Sequence, residues 1–160
     1  ITAAAIDKNI GKVRRDPFAM LPFIGYHVGD YLQHWLDIGK KEGAKLPKIF
    51  YVNWFRKDHN GKWLWPGFGE NSRVLKWIFE RVSGEGKAIQ TPIGFMPTDD
   101  AIDTAGLNVS AADMHELLQV NREEWLKEVE SIKEHYQGYE PKLPEELKNQ
   151  LKALEERLNA

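Results

Sequence analysis

Three of the six tryptophans and two of the seven phenylalanines fall between Asn53 and Arg73, in the run NWFRKDHNGKWLWPGFGENSR. Aromatic planes stack on flat rings, and a nucleic base held against such faces gains about 1–3 kcal/mol. The run closes on Phe68-Gly69-Glu70-Asn71, just ahead of a predicted helix start. Main-chain N–H groups at a helix start lack partners within the helix, and glycines let a backbone come close to a ligand. Amide donors select guanine over adenine, because guanine presents O6 as an acceptor where adenine presents an amino donor. The residues therefore describe a purine-base pocket built by a hairpin and a helix start. The same aromatics also suit the core of a hairpin, and the composition of the run leaves both readings open.

Other chemistries lack their residues. Gly11-Lys12, Gly61-Lys62 and Gly86-Lys87 are not followed by Ser or Thr, so no Gly-x-x-x-x-Gly-Lys-Ser/Thr phosphate loop is present. His115-Glu116 is followed by Gln119 where a zinc-binding helix needs a second histidine. The remaining histidines, His27, His34, His59 and His135, have no ligand spacing, and no metal ligand is predicted. Asp99, Asp100 and Asp103 form an acidic group, read here as acids complementing the first turn of a short helix capped by Thr98.

The elements that must position the aromatic run follow from pattern. Asp30 is predicted to cap a helix with Leu32, Trp35, Leu36 and Ile38 inward, ended by Gly43. Pro47–Phe55, rich in β-branched and aromatic residues, is predicted as a strand, and Asn60-Gly61 as the turn to a short return strand at Trp63–Trp65. Asn71 or Ser72 is predicted to cap a helix burying Val74, Leu75, Ile78, Phe79 and Val82. Thr91–Pro97 reads as an extended crossing segment. Ser110 with Asp113 and Asn121 with Glu124 have the spacing of capping boxes opening Ala111–Val120 and Arg122–Gln137. Trp125, Val129 and Ile132 line one face of the latter. Pro144 opens a last helix with Leu147, Leu151, Leu154 and Leu158 on one stripe. Asp16–Gly29, broken by Pro17, Pro22 and Gly25, reads as buried irregular structure, and its apolar stretch Phe18–Phe23 as an exposed, association-prone face if the segment stands alone. The expected class is α/β of mixed α+β character: mostly helices, a short β-hairpin and one longer strand.

Composition bounds the rest. The chain has 160 residues, 42% of them hydrophobic and 29% charged, a net charge of −2 and no cysteine. This is material for one soluble globular domain without disulfides, thiol chemistry or cysteine-ligated metals. The near-neutral charge argues against a polyanion such as nucleic acid as partner. No run reaches the roughly 18–20 apolar residues of a membrane span, and the expected location is cytoplasmic. The opening Ile1-Thr2-Ala3-Ala4-Ala5, without an initiator methionine, leads to the expectation of a piece of a longer chain.

Four motifs in order carry a resemblance: Asp16-Pro17-Phe18-Ala19-Met20, Leu46-Pro47-Lys48-Ile49-Phe50, Val52-Asn53-Trp54-Phe55-Arg56-Lys57, and Leu64-Trp65-Pro66-Gly67-Phe68-Gly69-Glu70-Asn71-Ser72-Arg73. Together they resemble the C-terminal part of the nucleotide-binding domain of GTP-dependent phosphoenolpyruvate carboxykinases. The likeness runs over nearly all of residues 1–160, through Thr91-Pro92-Ile93-Gly94. The resemblance implies decarboxylation of oxaloacetate with phosphoryl transfer from GTP, giving phosphoenolpyruvate, GDP and carbon dioxide. It also implies Mn²⁺ at the active site and a further divalent ion, Mg²⁺, with the nucleotide.

Carried over by position, Trp54, Phe55, Trp63 and Phe68 resemble the guanine-contacting aromatics. Asn71 resembles the residue that hydrogen-bonds the base, with Gly69 and Glu70 in the same loop. Trp63 stands where the family more often has Phe. Thr2, Ala3, Ala4 and Ala5 resemble the start of a mobile active-site lid spanning residues 1–13, expected to be poorly ordered in isolation. That segment is one residue longer, around Asn9-Ile10, than the usual pattern. Residues 46–73 would form the guanine-site hairpin and loop, and 110–160 the C-terminal helices. The phosphate loop, the Mn²⁺ ligands and the oxaloacetate-binding arginines would belong to the preceding N-terminal part of the same polypeptide. The chain would then be inactive alone, with no catalytic residue of its own. Two further readings stand beside this one: a separate guanine-nucleotide-binding or regulatory module, and an aromatic surface that binds sugars through Trp54, Trp63 and Trp65.

Overall fold

A computed structural model describes Arg15 and residues 20–160. The expected lid, with Thr2, Ala3, Ala4 and Ala5, lies outside the described residues, as do Asp16–Ala19 of the first motif. Five helices and one hairpin are seen among the described residues: α1 Val28–Gly39, α2 Asn71–Ser83, β1 Ala88–Thr91, β2 Gly94–Pro97, α3 Ala111–Leu118, α4 Arg122–Gln137 and α5 Glu145–Asn159. The mixed class with helices dominant agrees with the sequence. The chain divides into two compact units, Pro47–Asn121 and Ile1–Leu46 with Arg122–Ala160.

In the unit that holds α1, α4 and α5, the apolar stripes of α4 and α5 do the work that their spacing predicts. Val129 of α4 and Leu158 of α5 are fully buried, and Leu143, between the two helices in sequence, is buried as well. The Arg122 guanidinium donates to the Leu158 carbonyl (3.1 Å), placing positive charge at the C-terminal end of α5. α1 starts two residues before the predicted cap: the His27 ring nitrogen Nδ1 accepts the Gly29 N–H (3.0 Å). It ends at Gly39 rather than Gly43, and Trp35 and Ile38 are exposed while Leu32 and Leu36 are half-buried. Gly29 is buried, because a Cβ there would lie 2.1 Å from the Lys142 carbonyl oxygen. Among the described residues ahead of α1 there is a 3₁₀ turn at Leu21–Phe23. Leu21, Phe23 and Tyr26 are exposed there: Tyr26 departs from the reading of buried irregular structure, while Leu21 and Phe23 lie on the apolar face expected to be exposed in the segment alone.

In the unit Pro47–Asn121 the core is Trp65, Trp77, Ile102 and Met114, flanked by Phe50, Trp54, Val74 and Ile78. Pro47–Phe55 is not a strand: no ladder includes it, and residues 45–53 make no main-chain to main-chain hydrogen bond among the described residues. Strand propensity measures fit to a pleated surface, and no neighbouring strand among the described residues supplies one. The predicted hairpin of Pro47–Phe55 with Trp63–Trp65 is reduced to a single antiparallel bridge, Lys57 to Trp63. The regular ladder lies instead in the stretch read as a crossing segment. β1 and β2 pair antiparallel with Ala88 opposite Pro97 and Thr91 opposite Gly94, across the turn Pro92-Ile93.

α2 buries Trp77, with Val74 and Ile78 half-buried beside it. Leu75, Phe79 and Val82, expected inside, are exposed. Its cap is Glu70 rather than Asn71 or Ser72, and Gly84 (φ 87°) ends it in the left-handed conformation. α3 opens on the predicted capping box: Ser110 Oγ accepts from the Asp113 N–H (3.0 Å) and Asp113 Oδ2 from the Ser110 N–H (2.9 Å). No helix among the described residues is long and apolar enough to cross a membrane.

Candidate functional site

The aromatic run is shaped by local hydrogen bonds that its polar residues supply. Asn53 Oδ1 accepts the Phe55 N–H (3.0 Å) and turns the chain. The Arg56 guanidinium then donates to the carbonyls of Leu117 (3.1 Å) and Gln119 (3.4 Å), tying the loop to the end of α3. Asp58 makes the tip: its Oδ1 accepts from the N–H groups of Asn60 and Lys62 (both 2.9 Å), while its own N–H donates to the Lys62 carbonyl (2.9 Å). Gly61 takes φ 81°, which Asn60-Gly61 foreshadows. The Leu64 N–H closes the return by donating to the Arg56 carbonyl (3.1 Å).

This narrow arm brings Phe55 and Trp63 together. Their rings meet edge to face, 5.9 Å between centroids at 66°. Phe55 is 74% exposed and Trp63 50%. The Lys57 ammonium lies 4.1 Å from the Trp63 ring centroid, a cation over an aromatic face. The next residues plunge into the core, Leu64 at 2% and Trp65 at 6% exposure. The chain then re-emerges through Gly67 (φ 78°) to Phe68 (φ 42°), the first residue of a 3₁₀ turn Phe68–Glu70. Phe68 is 97% exposed. A phenylalanine in the left-handed region with its ring in solvent is strained for no gain in packing. Such strain concentrates where a residue meets a ligand.

The 3₁₀ turn leads straight into α2. The Asn71 N–H donates to the carbonyls of Phe68 and Gly69, the Ser72 hydroxyl to Gly69 (2.8 Å), and Asn71 Oδ1 accepts the Trp65 indole N–H (2.9 Å). The Glu70 carboxylate is engaged by Arg73 Nε (2.7 Å), and the same guanidinium donates to the Asp103 carbonyl (2.9 Å). Of the residues read from sequence, Phe55 and Trp63 form one exposed edge, and Phe68, Gly69, Glu70 and Asn71 one continuous turn. Trp54 is half-buried against the Trp65–Trp77 core.

The acidic group behaves differently from its reading. Thr98–Ala101 is a turn and not a helix, with the Ala101 N–H on the Thr98 carbonyl (2.9 Å). Lys87, and after it the Thr98 hydroxyl (2.7 Å), donate to Asp100 and hold its carboxyl below the usual range. Among the described residues no three His, Cys, Asp or Glu side chains gather as a metal site.

Two contributors were not read from sequence. Asp58 had a signal, an Asp two residues before Asn-Gly, where its side chain can cap a turn. The bond from Trp65 to Asn71 had none, since residues six apart in a loop follow no spacing rule.

The family model described as "Phosphoenolpyruvate carboxykinase C-terminal P-loop domain" matches residues 1–157. Proteins named phosphoenolpyruvate carboxykinase [GTP] are similar throughout. The one from Treponema pallidum (strain Nichols) is 52% identical over 161 aligned residues, covering 99% of this chain and 26% of its own length. Its counterpart in Neocallimastix frontalis is 55% identical with the same coverage, and that of Renibacterium salmoninarum 51% identical over 158 residues. The chain thus spans about a quarter of the length of these relatives. A match this complete, over a chain whose exposed aromatics and FGEN turn were already in place, means that the chain belongs to the GTP-dependent phosphoenolpyruvate carboxykinase family, in its C-terminal P-loop domain.

Proposed function

We propose that this chain is the nucleotide-side segment of a cytoplasmic enzyme that converts oxaloacetate and GTP to phosphoenolpyruvate, GDP and carbon dioxide, a gluconeogenic or anaplerotic reaction. In this reading the segment supplies the guanine-binding pocket. The observation that carries it is the set of three exposed aromatics, Phe55, Trp63 and Phe68, on a loop that hydrogen bonds fix without their help. Exposed aromatic faces lose little by leaving water for a flat base. Asn71, at the start of α2, then reads the edge of the base, and Gly69 keeps the turn open for its approach.

Glu70 is paired with Arg73 and serves the turn's shape rather than proton transfer. The phosphates, oxaloacetate and the residues that act on them fall to the N-terminal part of the same polypeptide. The Mn²⁺ and Mg²⁺ that the resemblance implies find no ligand cluster among the described residues, so no step in this segment runs through them.

Titrating tryptophan fluorescence of the full-length polypeptide with GDP and ADP tests the pocket. Quenching by GDP and not ADP is the expected result; equal response to both, or response to an oligosaccharide alone, overturns it. The 160-residue chain alone is expected to turn over no oxaloacetate, and turnover by pure segment would refute that part.

A further inference from the structure

We propose that Trp65 is a positioning residue for base selection: its indole N–H locks the Asn71 side-chain amide so that only hydrogen-bond donors face a bound base. This rests on the guanine-pocket reading above.

The geometry starts from the indole. Trp65 Nε1 lies 2.9 Å from the Asn71 side chain. An indole nitrogen only donates, so the amide atom facing it is the oxygen, and Nδ2 with its two hydrogens points away. The terminal torsion of asparagine is broad and close to two-fold, so an unrestrained amide presents either face. Flipped here, it would set an NH₂ against an N–H, leaving two donors opposed and the buried indole unsatisfied. The indole itself cannot move to allow this. Trp65 is packed among Trp77, Ile102 and Met114, the core of its unit.

What remains at Asn71 is one-sided. Its main-chain N–H is already committed to the 3₁₀ carbonyls of Phe68 and Gly69. No acceptor among the described residues meets Nδ2, and the residue is only half-buried at the first position of α2. A group reduced to donors matches the O6 acceptor of guanine and opposes the amino group of adenine. Trp65 therefore discriminates between bases it never touches. The core of the unit and the selectivity of the loop share one side chain.

The test uses the full-length polypeptide and the ratio of kcat/KM for GTP over ATP. Trp65→Phe keeps an aromatic ring and removes the N–H; Asn71→Ala removes the amide; the double variant closes the cycle. Trp65→Phe is expected to lower the ratio roughly tenfold, the worth of one oriented hydrogen bond. The loss should come through a higher KM for GTP with kcat little changed. In the Asn71→Ala background the same substitution should leave the ratio alone. A merely structural tryptophan would lower stability in both backgrounds and leave the ratio untouched in each, which overturns the proposal.

A wild type without guanine preference overturns the pocket and this role together. Preference that survives Trp65→Phe overturns the role alone. Should Trp65→Phe not fold, NMR of the wild type decides. The Trp65 indole proton must resist solvent exchange with and without GDP, while the Asn71 side-chain protons shift on GDP binding. A freely exchanging Trp65 proton, or unmoved Asn71 protons, refutes the lock.

Discussion

Replacing Phe68 by Gly should separate stability from binding, with opposite signs. Phe68 sits at φ 42°. The left-handed region costs a residue with a Cβ about 1–2 kcal/mol, and glycine escapes that cost. Glycine also brings a backbone-entropy loss of about 0.5–1 kcal/mol on folding. The ring contributes almost nothing in return, since it is 97% exposed and its removal uncovers no core. The balance runs from about zero to 1.5 kcal/mol in favour of Phe68→Gly, a rise in Tm of up to about 1 °C for a polypeptide roughly four times the length of this chain. Guanine binding should move the other way. Loss of one stacking face removes about 1–3 kcal/mol, so GDP should bind about 5- to 150-fold more weakly.

The assays are a thermal melt and a calorimetric GDP titration of the full-length polypeptide. Phe68→Ala serves as control: it keeps the strain, loses the ring, and should show the binding loss without the gain in Tm. A clear fall in Tm with GDP affinity unchanged would refute the reasoning, because it would make Phe68 a packing residue.

Two stability effects follow from the same kind of accounting. Gly29→Ala should destabilise although alanine is the better helix former by about 1 kcal/mol. The new Cβ would lie 2.1 Å from the Lys142 carbonyl oxygen, whose residue is held by its N–H on Tyr139 (2.9 Å). The net cost is about 1–3 kcal/mol, read as a lower urea midpoint. Ser110→Ala removes a cap and should cost about 1 kcal/mol. The Ser110 N–H, and after it the Ser110 hydroxyl, hold the Asp113 carboxyl below its ordinary value of 3.8. A depressed carboxyl contributes stability above its unfolded value, lost as pH falls through the native one. Ser110→Ala should therefore raise the Asp113 midpoint part-way, in a carbon-detected NMR titration, and flatten the acid loss of stability.

The helices were the legible part of this chain, because each carries its signal locally. Leu147, Leu151, Leu154 and Leu158 repeat at helical spacing and lie on the buried or half-buried side of α5. Ser110 and Asp113 stand three apart and form the box that spacing describes. The meeting of Phe55 and Trp63 was legible too, since Asn60-Gly61 folds their segments back on each other. Elements that depend on a distant partner were not. Ile49, Phe50, Tyr51 and Val52 have strand propensity, but among the described residues no strand pairs with them. In α2 the apolar residues span too wide an arc for periodicity to choose a side, and packing selected Trp77 over Phe79. In the hairpin β1–β2, Pro92 and Ile93 read as part of a crossing segment where they are the turn itself.

The tryptophans lie at graded depths, Trp54 and Trp125 half-buried between two deep and two exposed ones, and the extremes give the chain an internal optical partition. The indoles of Trp65 and Trp77 are buried and bonded, to Asn71 and to the Lys87 carbonyl (2.8 Å) respectively. Trp63 and Trp35 face water. Buried indoles emit at shorter wavelength and resist a soluble quencher such as acrylamide, while exposed ones emit to the red and quench readily. A base arriving on Trp63 should dim the red edge of the spectrum and leave the blue edge to report on the core. One emission scan then separates occupancy of the loop from loosening of the fold beneath it, without any added label.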